Sequence, residues 1–278
     1  MSQDTQQQEQ FKILLIGDSC SDLYIFGDCE RISPEAPVPV FTEVRRELRP
    51  GMALNVEKNL KNLGLEVVSI VNDNPATKTR YVDNRYTQHL LRVDENLEVV
   101  PLSQEKAKNI DTSEIAAVIF SDYDKGFLTH EMCLFLCEKF RNDDIPVFVD
   151  SKKRDLSCFE NSILKINKLE RSLVTKYPKD YSLITTLGSQ GSIFNGKVFP
   201  AYNIEKRLLS DQRDASGAGD TFISSLVYSF LRHGRSLSNS IVFANKCASI
   251  TVNKFGTYAI SQKDLLFLEN DKLEIEHF

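Results

Sequence analysis

Glycine is scarce in this sequence, and long apolar runs are missing altogether. The 278 residues include only 12 glycines, roughly 4% where average usage is about 7%, so the places that keep a glycine are informative. The strongest apolar stretches, residues 116–120 and 145–149, are much shorter than the roughly 18 residues that a membrane-spanning helix requires. The sequence therefore predicts no membrane helix and no membrane partner.

The sequence also lacks a secretory leader and a cysteine pattern typical of metal sites. The first ten residues include five glutamines and no apolar segment, which predicts a polar, disordered tail over residues 1–10 and no signal peptide. None of the six cysteines belongs to a C-x-x-C pattern or has a histidine at metal-binding spacing. These features indicate a cytoplasmic protein with reduced thiols.

Neither sign of charge dominates the sequence. The 34 basic and 39 acidic side chains give a net charge of −5 at pH 7, and 41% of the residues are hydrophobic. This composition is typical of a globular protein and gives no reason to expect a nucleic acid as a partner. The length fits one large domain or two small ones.

Buried strands alternate with amphipathic helices along most of the chain. Short apolar runs predict strands at residues 11–16, 65–71, 116–120, 147–149, 163–166 and 183–186. Apolar residues at a 3.6-residue period predict helices at residues 52–63, 130–141, 220–233 and 238–252. This alternation indicates an α/β fold with a largely parallel sheet. Because no linker or repeat interrupts it, we expect a single domain over residues 11–278.

Two segments do not fit this alternation. Residues 31–40 contain three of the nine prolines, which predicts an extended loop or an edge segment. Residues 78–93 alternate apolar and polar side chains among several charges, as strands exposed on one face do. We therefore expect a small β excursion from the main sheet.

Two of the scarce glycines lie directly before an apolar helix, within the sequence DASGAGD of residues 214–220. Gly217 and Gly219 flank Ala218, so the backbone can turn tightly and its N–H groups can meet an anion at the helix N-terminus. Asp220 would then accept a proton from an attacking hydroxyl while these amides neutralise charge on a transferred phosphoryl group. The local pattern fits equally well a helix start that Asp220 merely caps.

Residues 214–220 resemble the C-terminal D-T-x-G-A-G-D signature of the ribokinase-like (PfkB) carbohydrate kinases, with Ala215 replacing the threonine. The resemblance implies that Asp220 is the catalytic base and that the Gly217, Ala218 and Gly219 amides form the anion hole. It implies a three-layer αβα sandwich with a mostly parallel central sheet. A small β-sheet lid, with strands from about residues 22–48 and 78–94, would cover the sugar and pair two subunits into a homodimer.

The C-terminal half carries further pieces in the order of that family. Asn167 and Glu170 match its N-x-x-E motif, which implies binding of ATP and of Mg²⁺, the latter through water. The matches at Thr186, Gly188 and Gly191 imply residues that line the nucleotide, and the match at Asn245 implies one that borders the adenine. Taken singly, the N-x-x-E match is better explained by helix capping or chance, and each of the other matches by a core or turn residue. The resemblance leaves open whether K⁺ binds near Asp214, as a monovalent cation does in some relatives.

The N-terminal half resembles the subfamily that phosphorylates D-glycero-D-manno-heptose 7-phosphate in ADP-heptose synthesis. The resemblance rests on RISPEAPVPV at residues 31–40, RPGMALN at 49–55, SDYDKG at 121–126 and VDSK at 149–152. It implies that Asp22, Gly51 and Asn55 hold sugar hydroxyls. Lys78 and Arg80 would meet the sugar phosphate, or else belong to a solvated strand face.

The chain departs from this subfamily in side chains and in length. Met52 replaces the second glycine of P-G-G, Asp124 replaces a glycine and Ser151 replaces a proline. The chain is also shorter than its relatives between residues 70 and 78 and between residues 170 and 183.

We expect a trimmed kinase that uses Mg²⁺ and ATP to phosphorylate O1 of the heptose 7-phosphate. The alternatives are a PfkB kinase for another sugar or a nucleoside, and a non-catalytic protein derived from such a kinase that binds a sugar phosphate or a nucleotide.

Overall fold

The computed structural model describes residues 11–96, 98–202, 215–254 and 256–270. These residues form an eight-stranded sheet, a separate four-stranded sheet and seven helices. The predicted tail over residues 1–10 lies outside the described residues.

Both sheets are built from strands that follow the predicted segments closely. The strands are β1 Lys12–Gly17, β2 Ser19–Ile32, β3 Pro39–Met52, β4 Glu66–Val71, β5 Ala76–Asp83, β6 His89–Glu95, β7 Ile115–Asp122, β8 Val147–Ser151, β9 Ser162–Asn167, β10 Tyr181–Thr186, β11 Ser192–Phe194 and β12 Lys197–Phe199. The main sheet has the order β12-β11-β10-β9-β8-β7-β1-β4. Its strands from β10 to β4 are parallel, whereas β11 and β12 are antiparallel.

Helices cover both faces of the main sheet. They are α1 Ala53–Asn62, α2 Gln104–Lys108, α3 His130–Asn142, α4 Lys168–Leu173, α5 Ala218–Arg232, α6 Leu237–Thr251 and α7 Gln262–Asn270. Along β1, Leu14 and Ile16 join the core beneath α3, while Ile13 and Leu15 join the core beneath α1, α5 and α6. A strand buried on both faces reads as a continuous apolar run, so the predicted αβα sandwich with a mostly parallel sheet is confirmed. None of the described helices is both long and apolar enough to cross a membrane.

The four-stranded sheet, which we call the lid, has the order β3-β2-β5-β6. The proline-rich segment 31–40 forms the tip of the β2–β3 hairpin. This position is expected because proline has no N–H group to donate to a neighbouring strand. Successive side chains of a strand point to opposite faces. Asp22 and Tyr24 therefore lie on one face of the lid, and Leu23 and Ile25 lie on the other.

Both segments that the sequence predicts to be shortened are short connections in the structure. Only residues 72–75 join β4 to the lid strand β5, and the buried Asn72 secures this connection by accepting a hydrogen bond from the Ser19 N–H at 2.6 Å. Between residues 170 and 183 the chain forms the six-residue helix α4 and a short loop. The lid therefore leaves the main sheet through a short, hydrogen-bonded connection.

The helix α7 follows α5 and α6 and was not predicted from the sequence. This helix has nine residues, and a helix of that length draws its stability mainly from packing against the rest of the fold. Leu265 and Leu268 supply that packing in a small core cluster with Cys247 and Ile260. Such contacts are tertiary and leave a weak periodic signal in the sequence.

Candidate active site

The predicted nucleotide and phosphoryl residues meet at one edge of the main sheet. The parallel strands β1, β7, β8, β9 and β10 all have their carboxyl ends there, which is where open α/β sheets bind ligands. The N-terminus of α5 points into the same edge, next to a cleft of about 1060 Å³. Asn167, Thr186, Gly188, Gly191, Asn245 and residues 217–220 all line this cleft.

Asp220 lies in the first turn of α5 and is only 5% exposed. The Asn55 side-chain amide donates to its Oδ2 at 2.8 Å, and the Tyr123 hydroxyl donates to its Oδ1 at 2.8 Å. Burial raises the pKa of Asp220 to about 6, with a further increase from the negative charge of Asp150 that the two hydrogen bonds oppose. A carboxyl group with this pKa can both accept and release a proton near neutral pH.

The glycine turn before α5 needs glycine for steric reasons. Gly217 caps the helix with φ of 80°, a conformation that L side chains rarely adopt. A Cβ there would lie 2.8 Å from the Asn55 amide nitrogen, so any side chain would displace the group that holds Asp220. The Ala218 N–H, expected to face an anion, donates to the Ala215 carbonyl at 3.2 Å. Asp214, and with it the open question of K⁺, lies outside the described residues.

A buried ion pair that the sequence analysis missed lies beside this turn. The Lys165 ammonium donates to Asp150 Oδ2 at 2.6 Å, and both side chains are almost fully buried. Burial acts to raise the pKa of Asp150, yet the charges of Lys165 and Lys152 hold it below its usual value. A Cβ on Gly219 would lie 2.8 Å from the Lys165 ammonium. A positive charge therefore stands next to the glycine turn.

Asn167 and Glu170 form a reciprocal cap at the start of α4. Asn167 Oδ1 accepts from the Glu170 N–H at 2.8 Å, and Glu170 Oε2 accepts from the Asn167 N–H at 2.8 Å. Glu170 Oε1 also pairs with the Lys152 ammonium. These contacts match the helix-capping interpretation, and the metal role stays a prediction. The described residues contain no cluster of three or more His, Cys, Asp or Glu side chains suited to a metal ion.

The residues expected at the adenine end lie around the β11–β12 hairpin. The Asn245 side-chain amide donates to the Phe199 carbonyl at 3.0 Å and to Ser192 Oγ at 3.1 Å. These bonds tie α6 to both strands of the hairpin. The structure thus brings the predicted nucleotide residues together at the cleft, except Glu170, which does not line it, and Asn245 also forms hydrogen bonds within the fold.

The predicted sugar residues lie outside the cleft, on the lid side of Tyr123. Asp22 forms a buried ion pair with Arg80 at 2.5 Å, and a Cβ on Gly51 would lie 2.5 Å from Asp22 Oδ2. The Lys78 ammonium lies 6.0 Å from the centre of the Tyr123 ring. The solvated-face interpretation therefore fails for Arg80, whose guanidinium is mostly buried.

Asn55 joins the two groups of residues. Its amide nitrogen holds Asp220, while its Oδ1 is buried and accepts no hydrogen bond from the described part of the chain. An unpaired buried acceptor is costly unless a ligand or water completes it. Asn55 thus lies at the boundary between the lid and the cleft, where its amide nitrogen binds Asp220 and its Oδ1 can bind a ligand or water.

The three departures from the subfamily are accommodated without loss of this geometry. Met52 and Asp124, which replace glycines, both keep a positive φ, at 55° and 56°. Ser151, which replaces a proline, uses its hydroxyl to donate to the buried Asp122 at 2.6 Å. Both residues therefore have a backbone conformation that favours glycine, at the cost of strain.

Only one of the missed residues left a signal in the sequence. Lys165 is a charge inside an apolar strand, ILKIN, and a lysine is almost never fully buried unless it is paired. Tyr123 lay within a quoted motif, but its bond to Asp220 joins residues 97 apart in the chain. No local pattern indicates that contact.

Comparisons with known sequences identify the family. A family model described as pfkB family carbohydrate kinase matches residues 51–264. The bifunctional protein HldE of Campylobacter jejuni subsp. doylei is 32% identical, with 91% of this chain and 64% of that protein covered. HldE of Helicobacter pylori is 31% identical, with 93% and 66% covered. The chain thus spans less than two thirds of the length of these relatives.

Solved structures share the fold at low sequence identity. Phosphofructokinase-2 from Escherichia coli in complex with potassium has a TM-score of 0.70 at 15% identity, covering 94% of this chain and 98% of that one. Arabidopsis thaliana ribokinase complexed with ribose and ATP has a TM-score of 0.64 at 14% identity, covering 93% and 98%.

The fold, the glycine turn and the family match agree with one another. The chain is a member of the pfkB family of carbohydrate kinases.

Proposed function

We propose that this sugar kinase transfers the γ-phosphate of ATP to O1 of D-glycero-D-manno-heptose 7-phosphate. The observation that carries the proposal is the buried Asp220 carboxylate, placed between the cleft and the lid and hydrogen-bonded to Asn55 and Tyr123. A base at this boundary can reach a sugar hydroxyl on one side and a phosphoryl group on the other.

In this mechanism Asp220 accepts the proton of the attacking hydroxyl. Its raised pKa of about 6 leaves it mostly ionised at neutral pH, while keeping it basic enough to take the proton. The glycine turn at the positive end of α5 and the adjacent Lys165 ammonium would neutralise charge that develops on the transferred phosphoryl group. Most of the catalytic effect in phosphoryl transfer comes from such positioning and electrostatic stabilisation.

The residues at the phosphate end fit a hydrated divalent cation. An amide and a carboxylate, Asn167 and Glu170, stand together at the carboxyl end of β9, and oxygen donors of this kind hold Mg²⁺ through water. When bound there, Mg²⁺ would neutralise phosphate charge. ATP would lie along the cleft over Thr186, Gly188 and Gly191 towards Asn245.

The sugar would lie under the lid, against Asp22, Gly51 and Asn55. The buried Oδ1 of Asn55, which has no hydrogen-bond partner among the described residues, supports this placement because it can accept a hydrogen bond from a sugar hydroxyl. Lys78 and Arg80 would attract the phosphate of the substrate from the same face of the lid. The identity to HldE supports a heptose phosphate within this class.

A second copy of the chain is the proposed partner of the lid. The lid face opposite to Asp22 carries Leu23 and Ile25, and Leu48 and Leu91 on the same face are 70% and 57% exposed. Apolar side chains concentrated on one exposed sheet face are typical of an interface. We propose that two lids pair through it in a homodimer.

A direct test measures ATP consumption with heptose 7-phosphate, another hexose phosphate, ribose and a nucleoside. We expect turnover to be highest with the heptose phosphate and ³¹P NMR to place the new phosphate on O1. Asp220→Asn should lower kcat by about 10²–10⁴-fold because the amide cannot accept the proton.

A matched control is Asp264→Asn, since Asp264 also accepts a tyrosine hydroxyl, from Tyr258 at 2.6 Å, but lies on α7 away from the cleft. If the protein phosphorylates only another acceptor, that acceptor replaces heptose 7-phosphate as the substrate. Binding of sugar phosphate and ATP without any turnover would favour the non-catalytic alternative. Full activity of Asp220→Asn would remove the base role.

A further inference from the structure

Tyr123 occupies a distinctive place between the lid and Asp220. It follows β7 directly and is partly buried, and its hydroxyl donates to Asp220 Oδ1 at 2.8 Å. Asn55 occupies the other carboxylate oxygen. The carboxylate of Asp220 is therefore held at both oxygens by neutral donors, and each oxygen keeps a lone pair for a substrate hydroxyl.

The backbone of Tyr123 is fixed by Asp18, which directly follows β1. Asp18 is 1% exposed, and its Oδ2 accepts from the N–H groups of Tyr123 at 2.7 Å and Lys125 at 3.3 Å. Its Oδ1 lies 3.4 Å from the Phe127 N–H, which donates to it. A buried carboxylate that accepts several backbone donors fixes the loop that supplies them.

The ring of Tyr123 is fixed from the lid by Met52. The tyrosine packs on a buried cluster of Cys20, Met52 and Ala76. Met52 has φ of 55° and ψ of −130°, a combination that favours glycine and disfavours any side chain. The chain thus keeps a side chain at a position where the backbone favours glycine, and that side chain is buried against Tyr123.

The charges around Asp220 come from other side chains, so removing the Tyr123 hydroxyl changes no charge. Asp150 from β8 raises the pKa of Asp220, and Lys165 from β9 lowers it. The Lys152 ammonium lies 5.5 Å from the centre of the Tyr123 ring and the Lys78 ammonium lies 6.0 Å from it. The Tyr123 hydroxyl itself stays neutral, because burial and the Asp220 charge raise its pKa well above the usual value.

We propose that Tyr123 is a positioning residue for the base: its hydroxyl orients the Asp220 carboxylate, and Asp18 and Met52 hold the tyrosine in place. The inference rests on the proposed function, since it assumes that Asp220 takes the proton of the acceptor hydroxyl. It assigns Met52, a departure from the related sequences, to supporting the active site.

The test is the pH dependence of kcat/KM for Tyr123→Phe, which removes the hydroxyl and keeps the ring. Loss of a hydrogen bond to the ionised form raises the pKa of Asp220, so the acidic limb should move to higher pH by roughly one unit. The decrease in activity should consequently be several-fold larger at pH 6 than at pH 8. Tyr258→Phe, which loses a comparable bond to Asp264, should keep the wild-type profile.

Met52→Gly provides a second variant that suits the local backbone and leaves every hydrogen-bonding group in place. We expect it to fold and to move the acidic limb in the same direction by a smaller amount, because the tyrosine ring loses its support. Infrared or ¹³C NMR titration of the Asp220 carboxyl should show the same order of pKa values, with Tyr123→Phe the highest.

Two failures can be told apart. If Asp220→Asn is inactive but Tyr123→Phe has the wild-type pH profile and the wild-type carboxyl titration, the positioning role is wrong and the proposed function stands. If Asp220→Asn keeps its activity, the base assignment itself is wrong. A Met52→Gly profile that matches wild type would overturn the supporting role of Met52.

Discussion

Asp220 and Asp150 are both buried carboxylates at the same cleft, but their surroundings differ in charge. Neutral donors, Asn55 and Tyr123, hold Asp220, whereas the ammonium groups of Lys165 and Lys152 surround Asp150. Burial raises the pKa of Asp220 to about 6, and the cations hold the pKa of Asp150 below its usual value. Burial alone therefore does not decide the protonation of a carboxyl group; the charge of its partners does.

This difference separates two tasks. An aspartate paired with cations stays ionised and fixes positive charge beside the glycine turn, while an aspartate held by neutral donors stays able to exchange a proton. The two groups should also affect stability with opposite dependence on pH. Asp150 stabilises the folded state above about pH 4 and loses this contribution as the pH falls. The contribution of Asp220 is complete below about pH 4 and is lost as the pH rises through 6.

The largest expected effect comes from removing the cation beside Asp150. Lys165→Met leaves a buried carboxylate without its closest partner, which should lower the free energy of unfolding by about 3–5 kcal/mol at pH 7. Urea unfolding measures this loss. The double variant Asp150→Asn/Lys165→Met should recover most of it, and a double variant as unstable as the single one would show that the ion pair is not the cause.

The pH dependence of Asp220 is the next largest effect. Because its pKa in the folded state is about 6 against 3.8 for the unfolded chain, wild type should lose about 3 kcal/mol relative to Asp220→Asn between pH 3.5 and pH 7.5. Urea unfolding of both proteins at several pH values tests this. If the difference in free energy of unfolding between the two proteins did not change with pH, burial would not destabilise the charged form of Asp220.

A smaller effect is expected on the lid, where the same contrast can be tested with two arginines. Arg80 pairs with the buried Asp22, while Arg92, opposite Arg80 on the edge strand β6, is largely exposed and pairs with Asp94. Arg80→Gln should raise KM for the sugar phosphate about 10-fold, because it removes charge near the substrate and leaves Asp22 unpaired. Arg92→Gln should leave KM near the wild-type value. Equal effects would contradict a substrate role specific to Arg80.

The smallest effect on catalysis should come from the apolar face of the lid. Leu48→Lys and Leu91→Lys place charges in the proposed interface and should convert a dimer into a monomer, measured by light scattering after size-exclusion chromatography. Since neither residue faces Asp22, kcat should change less than about 3-fold. Val198→Lys, an exposed change on β12, is a control that should leave the oligomeric state unaltered. A wild-type monomer would refute the interface.

Most elements of the fold follow from local pattern. The buried strands β1, β7 and β8 appear as short apolar runs, and helices α1, α3, α5 and α6 as apolar residues at helical period, within a few residues of the observed ends. The short hairpin β11–β12 and the helix α7 were missed. Each depends on docking against distant segments, so its own sequence carries little signal.

Only part of the candidate site can be predicted from local sequence patterns. Asp220 and the glycine turn form a continuous motif, because a turn and a helix N-terminus are local structures. Tyr123 and Asp150 become recognisable only when separate strands end at one sheet edge, and the partner of Lys165 becomes known only there. Asn167 and Glu170 show the opposite case. They match a sequence motif, but in the fold the same two residues form a helix cap.

The sequence by itself determined the α/β alternation, the position of the predicted base and the family resemblance, because these depend on neighbours within one turn or one strand. Only the tertiary structure decided which side chains surround Asp220. Its protonation depends on a tyrosine and an asparagine from elements far apart in the chain, and on the ion pair that burial brings next to it. The 12 glycines reflect the same division. Their places are visible in the sequence, but the contact that forbids a side chain at Gly217 exists only in the folded molecule.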